Sequence, residues 1–397
     1  MEIVENATVG LDREIHWREH GSLRTYSYPY HLRAGQAWPE LLGKLHALEA
    51  DHFVLVTDAA FPVRLAREAW MRVSSLGRCT LLTFQGGEHA KHLVTIHRLG
   101  NDAIRAGATR RSCIIALGGG LVGNVAGLLA ALFFRGSRLV HLPTTLLAMS
   151  DSCLSLKQGV NSDAGKNHFG QFYPPEFVWA DLSYLRNLPT IEIQSALCEL
   201  IKNVLAICPQ YYDEIAATLR QDGVYTEAQM QHFIAVCIEA KCAVMGQDAL
   251  EKQDAVILEY GHTVGHALEL RSHGTIPHGL AIGIGMVVEA RISRMLGMLS
   301  RQEEEAHLTL LRLNGAPTSI PVHFSASELL ELLAHDNKRG YLPPVRGKYD
   351  MVLLERLGVP HRTGGTVLTQ VEESTVRAAI EALQEDNVSN RERTQAV

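Results

Sequence analysis

Three things are scarce in this chain: paired cysteines, a surplus of positive charge, and lysine. The seven cysteines (Cys79, Cys113, Cys153, Cys198, Cys208, Cys237 and Cys242) are odd in number and none stands in a CxxC pair. A disulfide framework is therefore not expected, and the thiols read as reduced core residues of a cytosolic protein. The formal charge of -6 provides no basic field for nucleic acid or an anionic membrane surface. No uninterrupted apolar run reaches the roughly 18 residues that a membrane helix needs. The opening MEIVENATVGLDREIHW has neither the basic nor the apolar region of a secretory signal, so a cytoplasmic setting is expected. With nucleic acid and membrane set aside, a small molecule is the expected partner.

Lysine is the most telling scarcity: of 37 basic residues nine are lysine and 28 arginine. GC-rich coding accounts for much of that ratio, but not for where the lysines fall. Lys91, Lys157, Lys166, Lys202, Lys241 and Lys338 all lie in segments that look like a site. There a compact ammonium with a tunable pKa differs from a guanidinium.

What is present suggests two domains, since 397 residues exceed what one hydrophobic core usually holds. Apolar runs at 52–58, 79–84, 112–120 and 138–145 alternate with segments whose apolar residues recur at three and four spacing. That alternation predicts βα units and a mainly parallel sheet. After about Asp181 the strand signals fade into long helical patterns, with one short strand pair near KYDMVLLERLG. The expected division is an α/β nucleotide-binding domain over 1–182, a mainly helical domain over 183–385, and a disordered polar tail over 386–397.

Three constellations could carry chemistry. Gly118, Gly120 and Gly123 form a GxGxxG turn between a strand and a helix, where small residues let backbone approach a pyrophosphate; a tight packing turn would look the same. The acid usually found about 20 residues downstream is missing, which leaves Asp58, at the end of an earlier strand, as the candidate for ribose hydroxyls. The segment 151–175 gathers Asp151, Lys157, Asn161, Lys166 and Asn167, groups that suit phosphate oxygens and hydroxyls, although a solvated surface loop has the same composition. His262 and His266, four apart on one helix face, lie near His273 and His278, and imidazole is a common zinc ligand. Glu199, in an apolar helix, needs a cation nearby. Hydrogen-bonded core histidines are the alternative.

In order, the motifs VTD, GGEHAK, GGGLVGNVAG, PTTLLA, DSCLSLKQGVN, GKN, FYPP, CELIK, GHTVGHALE and IPHG resemble the sugar phosphate cyclase superfamily, whose best known member is 3-dehydroquinate synthase. The match runs from roughly residue 50 to 355. The resemblance implies a Rossmann-like nucleotide-binding domain followed by a mainly α-helical metal-binding domain. It also implies bound NAD and one divalent metal, Co2+ or Zn2+, held by Glu199, His262 and His278. NAD contacts would come from Asp58, Glu88, Lys91, Gly118, Gly119, Gly120, Asn124, Thr144 and Thr145. Catalytic contacts would come from Asp151, Lys157, Lys202, Lys241, Glu259 and His266, and further substrate contacts from Lys166, Asn167 and Lys338. Arg135 matches an arginine that reaches into the partner subunit's site, which implies a homodimer.

Departures from the dehydroquinate synthases bear on the substrate. Ser155 and Leu156 replace a glycine pair, and Asn124 replaces an aspartate. Glu259 stands for an asparagine, and Ala255 aligns with a carboxylate-binding arginine. Losing a cation and gaining an anion disfavours an anionic substrate carboxylate. The expected substrate is a phosphate ester without one, and SLKQGVN, ILEYGHTVGHALE and HDNKRGYLP look most like the branch that cyclises D-glucose 6-phosphate. A sedoheptulose 7-phosphate cyclase, dehydroquinate synthase itself, and a metal-dependent alcohol dehydrogenase are the alternatives.

Overall fold

The computed structural model describes residues 10–19, 25–35, 37–163, 165–333, 336, 338 and 340–395. The chain divides into two compact units, 1–188 with 225–235, and 189–224 with 236–397.

The first unit is built on a seven-stranded sheet. In chain order its strands are β1 (Gly10–Arg18), β2 (Thr25–Arg33), β3 (Phe53–Asp58), β4 (Cys79–Phe84), β5 (Cys113–Gly118) and β6 (Arg138–Pro143), followed after a hairpin by β9 (Phe177–Asp181). They lie in the order β1-β2-β9-β6-β5-β3-β4, parallel except for the antiparallel β1 at one edge. Strands β3, β4, β5 and β6 occupy the four apolar runs of the sequence. Their side chains alternate between faces as the pleat requires. Val54, Val56, Ile114 and Ala116 pack with α3 (Leu93–Arg105) and α4 (Gly120–Leu132). Phe53, Leu55, Cys113, Ile115 and Leu117 pack with α1 (Trp38–Ala47) and α2 (Val63–Ser74). Burial on both faces is why these strands read as continuous apolar runs.

The N-terminal strands carry weaker signals. Pro29 lies inside β2, and proline normally argues against an interior strand. Here the ladder to β9 begins at Tyr30, one residue later, so the missing N–H costs nothing on that side. The segment read as a possible surface loop at 151–175 instead forms an antiparallel hairpin of β7 (Lys157–Ser162) and β8 (Gly165–Phe172). Gly170 permits it, because a Cβ there would come 2.6 Å from the Gln158 carbonyl oxygen.

In the second unit α6 (Thr190–Ala206) is buried almost all round from Ile193 to Ala206, as a central helix must be. Two helices, α9 (His262–Arg271) and α10 (His278–Met295), follow each other, and α10 contacts both α9 and α6. Glycines set the closest approaches: a Cβ on Gly279 would lie 1.8 Å from the Ser195 carbonyl oxygen, and one on Gly285 1.9 Å from that of Gly261. The remaining helices are α7 (Tyr212–Thr218), α11 (Arg301–Leu313), α12 (Ala326–Leu333) and α13 (Glu373–Gln395), with α8 (Glu227–Met245) divided between the units. The expected strand pair is present in altered form. KYDMV forms β10 (Lys348–Val352), whose partner is the later strand β13 (Leu368–Glu372), while β11 (Leu354–Arg356) pairs with β12 (Val359–Pro360).

Two observations stand beside the expected division. The first unit extends to 188 rather than 182, because Asp181 caps the turn Leu182–Asn187 through the Ser183 N–H and also accepts from the Gly35 N–H. The polar tail expected to be disordered continues α13 as helix to Gln395, with 396–397 outside the described residues. Its first turns are nucleated by buried Val376, Ala379, Ile380 and Leu383, and no glycine or proline follows to stop propagation.

Candidate metal centre and nucleotide site

The second unit brings Glu199, His262 and His278 together, with one ligand atom from each lying within 4.8 Å of the others. Glu199 comes from the middle of α6, His262 from the first residue of α9 and His278 from the first of α10. Both imidazole Nε2 atoms stand 3.7 Å from Glu199 Oε1. That is too long for a hydrogen bond, yet close to the ~3.4 Å between two ligands of a tetrahedral ion with bonds of about 2.0–2.1 Å. Oε1 is buried without a hydrogen-bond partner, a costly state that a cation would relieve.

The outer nitrogens are spoken for. His278 Nδ1 donates to Glu269 Oε2 at 3.0 Å, and His262 Nδ1 donates to the Tyr260 carbonyl at 3.1 Å. Both bonds occupy Nδ1 and turn Nε2 toward Glu199, the arrangement that orients metal-ligating histidines. Burial, with Lys202 adding to it, holds the His262 pKa well below the usual imidazole value, so the ring is in its neutral, ligating form. A Glu and two His fit one divalent cation with open positions for substrate.

Around this centre lie most of the other residues singled out in this half of the sequence. Lys202 Nζ is 2.5 Å from Glu199 Oε2 and donates to the Leu258 carbonyl at 2.7 Å. The His266 ring centroid is 5.1 Å from that of His262, and its Nδ1 is 3.9 Å from Asp336 Oδ2. Asp336 pairs with Lys338 at 2.8 Å, and Lys338 Nζ is 3.8 Å from Glu259 Oε2. Burial opposes both charges of the Asp336–Lys338 pair, but their attraction outweighs it, lowering the aspartate pKa and raising that of the lysine. Lys241 is buried on α8, 4% exposed. Ala255 is fully buried at the end of a loop whose N–H groups, at Lys252, Gln253 and Ala255, all donate to Asp248.

Sequence reasoning missed three acids here. Glu269 was in plain view, seven residues after His262 in GHTVGHALE, and Asp336 stands in the quoted HDNKRG. Glu289 gave no signal at all. It is fully buried on α10 and accepts from the Gly261 N–H at 2.6 Å. Burial, partly offset by that bond, raises its pKa to about 8.

In the first unit the strand order reverses at β3, with β4 on one side and β5 on the other. Such a switch point makes a crevice outside the C-terminal strand ends, where nucleotides bind. Asp58 ends β3 and Gly118 ends the adjacent β5, Val56 pairing with Ala116 two residues before each. Gly119 and Gly120 lead into α4, and Thr144 and Thr145 close the far side: the Thr144 N–H donates to the Gly118 carbonyl, and a Cβ on Gly119 would meet Thr145 at 3.2 Å. Asp58 Oδ1 accepts from the Ala60 and Phe61 N–H groups. Asn124, expected to contact NAD, donates to the Gly120 carbonyl and accepts from the Gly159 N–H.

Glu88, Lys91 and Asn167 form one network through Asn161. Lys91 Nζ donates to Asn167 Oδ1 at 2.5 Å, Asn161 Nδ2 donates to Glu88 Oε1 at 2.9 Å, and the Asn167 N–H donates to Asn161 Oδ1 at 2.9 Å. Lys157 opens β7 and is exposed, Lys166 lies on β8, and Asp151 lies between α5 (Leu146–Ser150) and the hairpin. Arg135 is exposed at the end of a turn in which Phe134 and Arg135 both have positive φ, 50° and 70°. Two such residues in succession store strain of a kind found where a side chain must be aimed.

Comparison with known proteins agrees with this layout. Residues 81–195 match the 3-dehydroquinate synthase N-terminal family, and residues 196–339 its C-terminal counterpart. The 2-deoxy-scyllo-inosose synthase of Streptoalloteichus tenebrarius is 43% identical over 90% of this chain and 92% of its own length. That of Streptomyces kanamyceticus is also 43% identical, with the same coverage. A crystal structure of 2-deoxy-scyllo-inosose synthase complexed with carbaglucose-6-phosphate, NAD+ and Co2+ superposes with a TM-score of 0.87 at 36% identity, covering 94% of this chain and all of that one. On these matches the protein belongs to the 3-dehydroquinate synthase-like sugar phosphate cyclases, among the 2-deoxy-scyllo-inosose synthases.

Proposed function

We propose that the chain converts D-glucose 6-phosphate into 2-deoxy-scyllo-inosose and inorganic phosphate, acting as a carbon–oxygen lyase that feeds aminoglycoside biosynthesis. The observation that carries this reading is the Glu199–His262–His278 cluster, in which a buried Glu199 oxygen without a hydrogen-bond partner stands 3.7 Å from both imidazole Nε2 atoms. Bound NAD would supply a reversible hydride acceptor for C4, and a bound divalent cation would acidify the hydroxyl being oxidised.

The chain's own residues do the rest. Lys202 keeps a positive charge beside Glu199 and favours an alkoxide over a hydroxyl. Once C4 is a ketone the C5 proton is acidic, and Glu259 is placed in this reading to remove it, or to assist the leaving phosphate in doing so. Lys157, Lys166, Asn167 and His266 neutralise charge on the departing phosphate. Lys241 and Lys338 position substrate hydroxyls, Asp151 assists proton transfer, and holding both ends of one molecule supplies most of what the final aldol closure needs. Asp58, Glu88, Lys91, the Gly118–Gly120 turn, Thr144 and Thr145 hold the dinucleotide.

Selectivity against a carboxylate follows from Ala255, a buried methyl where a clamp arginine would stand, and from Glu259. The strained turn at Arg135 supports a homodimer in which that arginine reaches the partner's site. Seven free cysteines fit a reducing cytoplasm. The test is to incubate purified protein with D-glucose 6-phosphate, NAD and Co2+ or Zn2+. Phosphate and a six-membered cyclic ketone should form together with no net NADH, whereas NADH accumulating in step with product would identify a dehydrogenase instead.

A further inference from the structure

The two histidines of the candidate metal centre are supported unequally at first sight. His278 Nδ1 meets the carboxylate of Glu269 directly, while His262 Nδ1 meets only the carbonyl of Tyr260. That carbonyl, however, belongs to the same peptide unit as the Gly261 N–H, and Glu289 Oε2 accepts from that N–H at 2.6 Å. The path runs from Glu289 through one planar peptide to His262 Nδ1, and from Nε2 toward Glu199. A trans peptide has its N–H and C=O on opposite sides, and the described chain contains no cis bond. An acceptor on the N–H therefore polarises the carbonyl on the other side and strengthens its hold on the imidazole.

The peptide is fixed against rotation from three directions. The Tyr260 hydroxyl is bonded to His307 Nε2 at 2.8 Å, with both residues fully buried. Gly261 adopts φ +80°, and a Cβ there would come 2.6 Å from Met286 Cγ. Gly285 packs directly under the Gly261 carbonyl, which belongs to the next peptide and holds Gly261 from its other side. Glu289 is itself fully buried, with the Gly261 N–H and the Thr263 side chain as its hydrogen-bonding neighbours. A carboxyl group kept in so costly a place has to be explained.

We infer that Glu289 is a positioning residue for metal binding, which orients His262 through the Tyr260–Gly261 peptide as Glu269 orients His278 directly. The inference rests on the reading of Glu199, His262 and His278 as metal ligands. Removing such an outer partner costs roughly 10–100-fold in metal affinity.

The experiment is a Co2+ titration of chelator-treated protein, read by the cobalt absorption band, alongside thermal melting of the metal-free form. Glu289→Leu removes the acceptor, and Glu289→Asp withdraws it by one methylene. Both should weaken Co2+ binding at least about tenfold without lowering the metal-free melting temperature in proportion. Glu289→Gln keeps an acceptor oxygen and should bind within about threefold of the parent, a difference well under 1.4 kcal/mol. Parent-like affinity in either Glu289→Asp or Glu289→Leu would overturn the inference, as would a loss in Glu289→Gln equal to theirs. A loss of melting temperature with unchanged Co2+ affinity would assign Glu289 to the fold alone. Failure of the underlying reading looks different: Glu199→Ala would then bind Co2+ as well as the parent, and both would fall together.

Discussion

At the scale of single residues, the chemistry rests on buried groups held in defined protonation and orientation. Glu259 is the residue to test first, because it is proposed to remove the C5 proton and its Oε2 stands 3.8 Å from Lys338 Nζ. Glu259→Gln should slow phosphate release by about 10²–10⁴-fold while NAD affinity stays within error; near-normal turnover would take proton transfer away from it. Glu269→Gln should leave the fold intact and weaken Co2+ binding by roughly 10–100-fold, because His278 loses its carboxylate partner. Unchanged binding in that variant would mean that His278 is oriented by something else. The residues that form the candidate metal centre were singled out from residue type and motif resemblance, but their outer partners were not. A carboxyl twenty-seven positions after His262 has no sequence period linking it to that histidine, and only the packing of α10 against α9 makes Glu289 a neighbour of Gly261.

At the scale of elements, close backbone approach sets the site. Gly285 allows α10 to touch the Gly261 carbonyl, and Gly279 allows it to touch Ser195 on α6. Gly285→Ala should therefore cost about 1–3 kcal/mol of stability by overpacking and weaken Co2+ binding at the same time, which melting and metal titration would read separately. A neutral result would show that the helices have room to part. The parallel strands β3, β5 and β6 were readable because two-sided burial writes them as apolar runs, whereas the half-exposed edge strand β4 was readable from its apolar composition alone. The hairpin β7–β8 was not, since its second strand is almost wholly exposed and carries no alternation. The N-terminal pair was hidden by Pro29, a residue whose effect depends on where the neighbouring ladder starts.

For the whole molecule, buried titratable groups make stability depend on pH with a sign that can be worked out. Burial lowers His141 and His307 to about 4. Between pH 6.5 and 4 the unfolded chain takes up protons that the folded chain refuses, so stability is lost as pH falls, by about 3 kcal/mol for each group at the acid end. His262 acts in the same direction in metal-free protein. Glu289, raised to about 8, acts oppositely: the folded chain keeps a proton that the unfolded chain releases above 4.5, so stability is lost as pH rises toward 8. Below 6.5 the histidines outnumber the acid. The metal-free melting temperature should therefore peak near pH 6.5 and fall on both sides. A melting temperature that rises between pH 6.5 and 5 would contradict these assignments.

The central claim is that Glu199, His262 and His278 together hold one cation on which turnover depends. Its most direct measurement is turnover of D-glucose 6-phosphate, with NAD present, by chelator-treated protein as Co2+ is added back. No phosphate release is expected without metal, and full recovery is expected at one equivalent per chain, with none in Glu199→Ala. Undiminished turnover in verified metal-free protein, or recovery of Glu199→Ala at the same equivalence point, would contradict that claim.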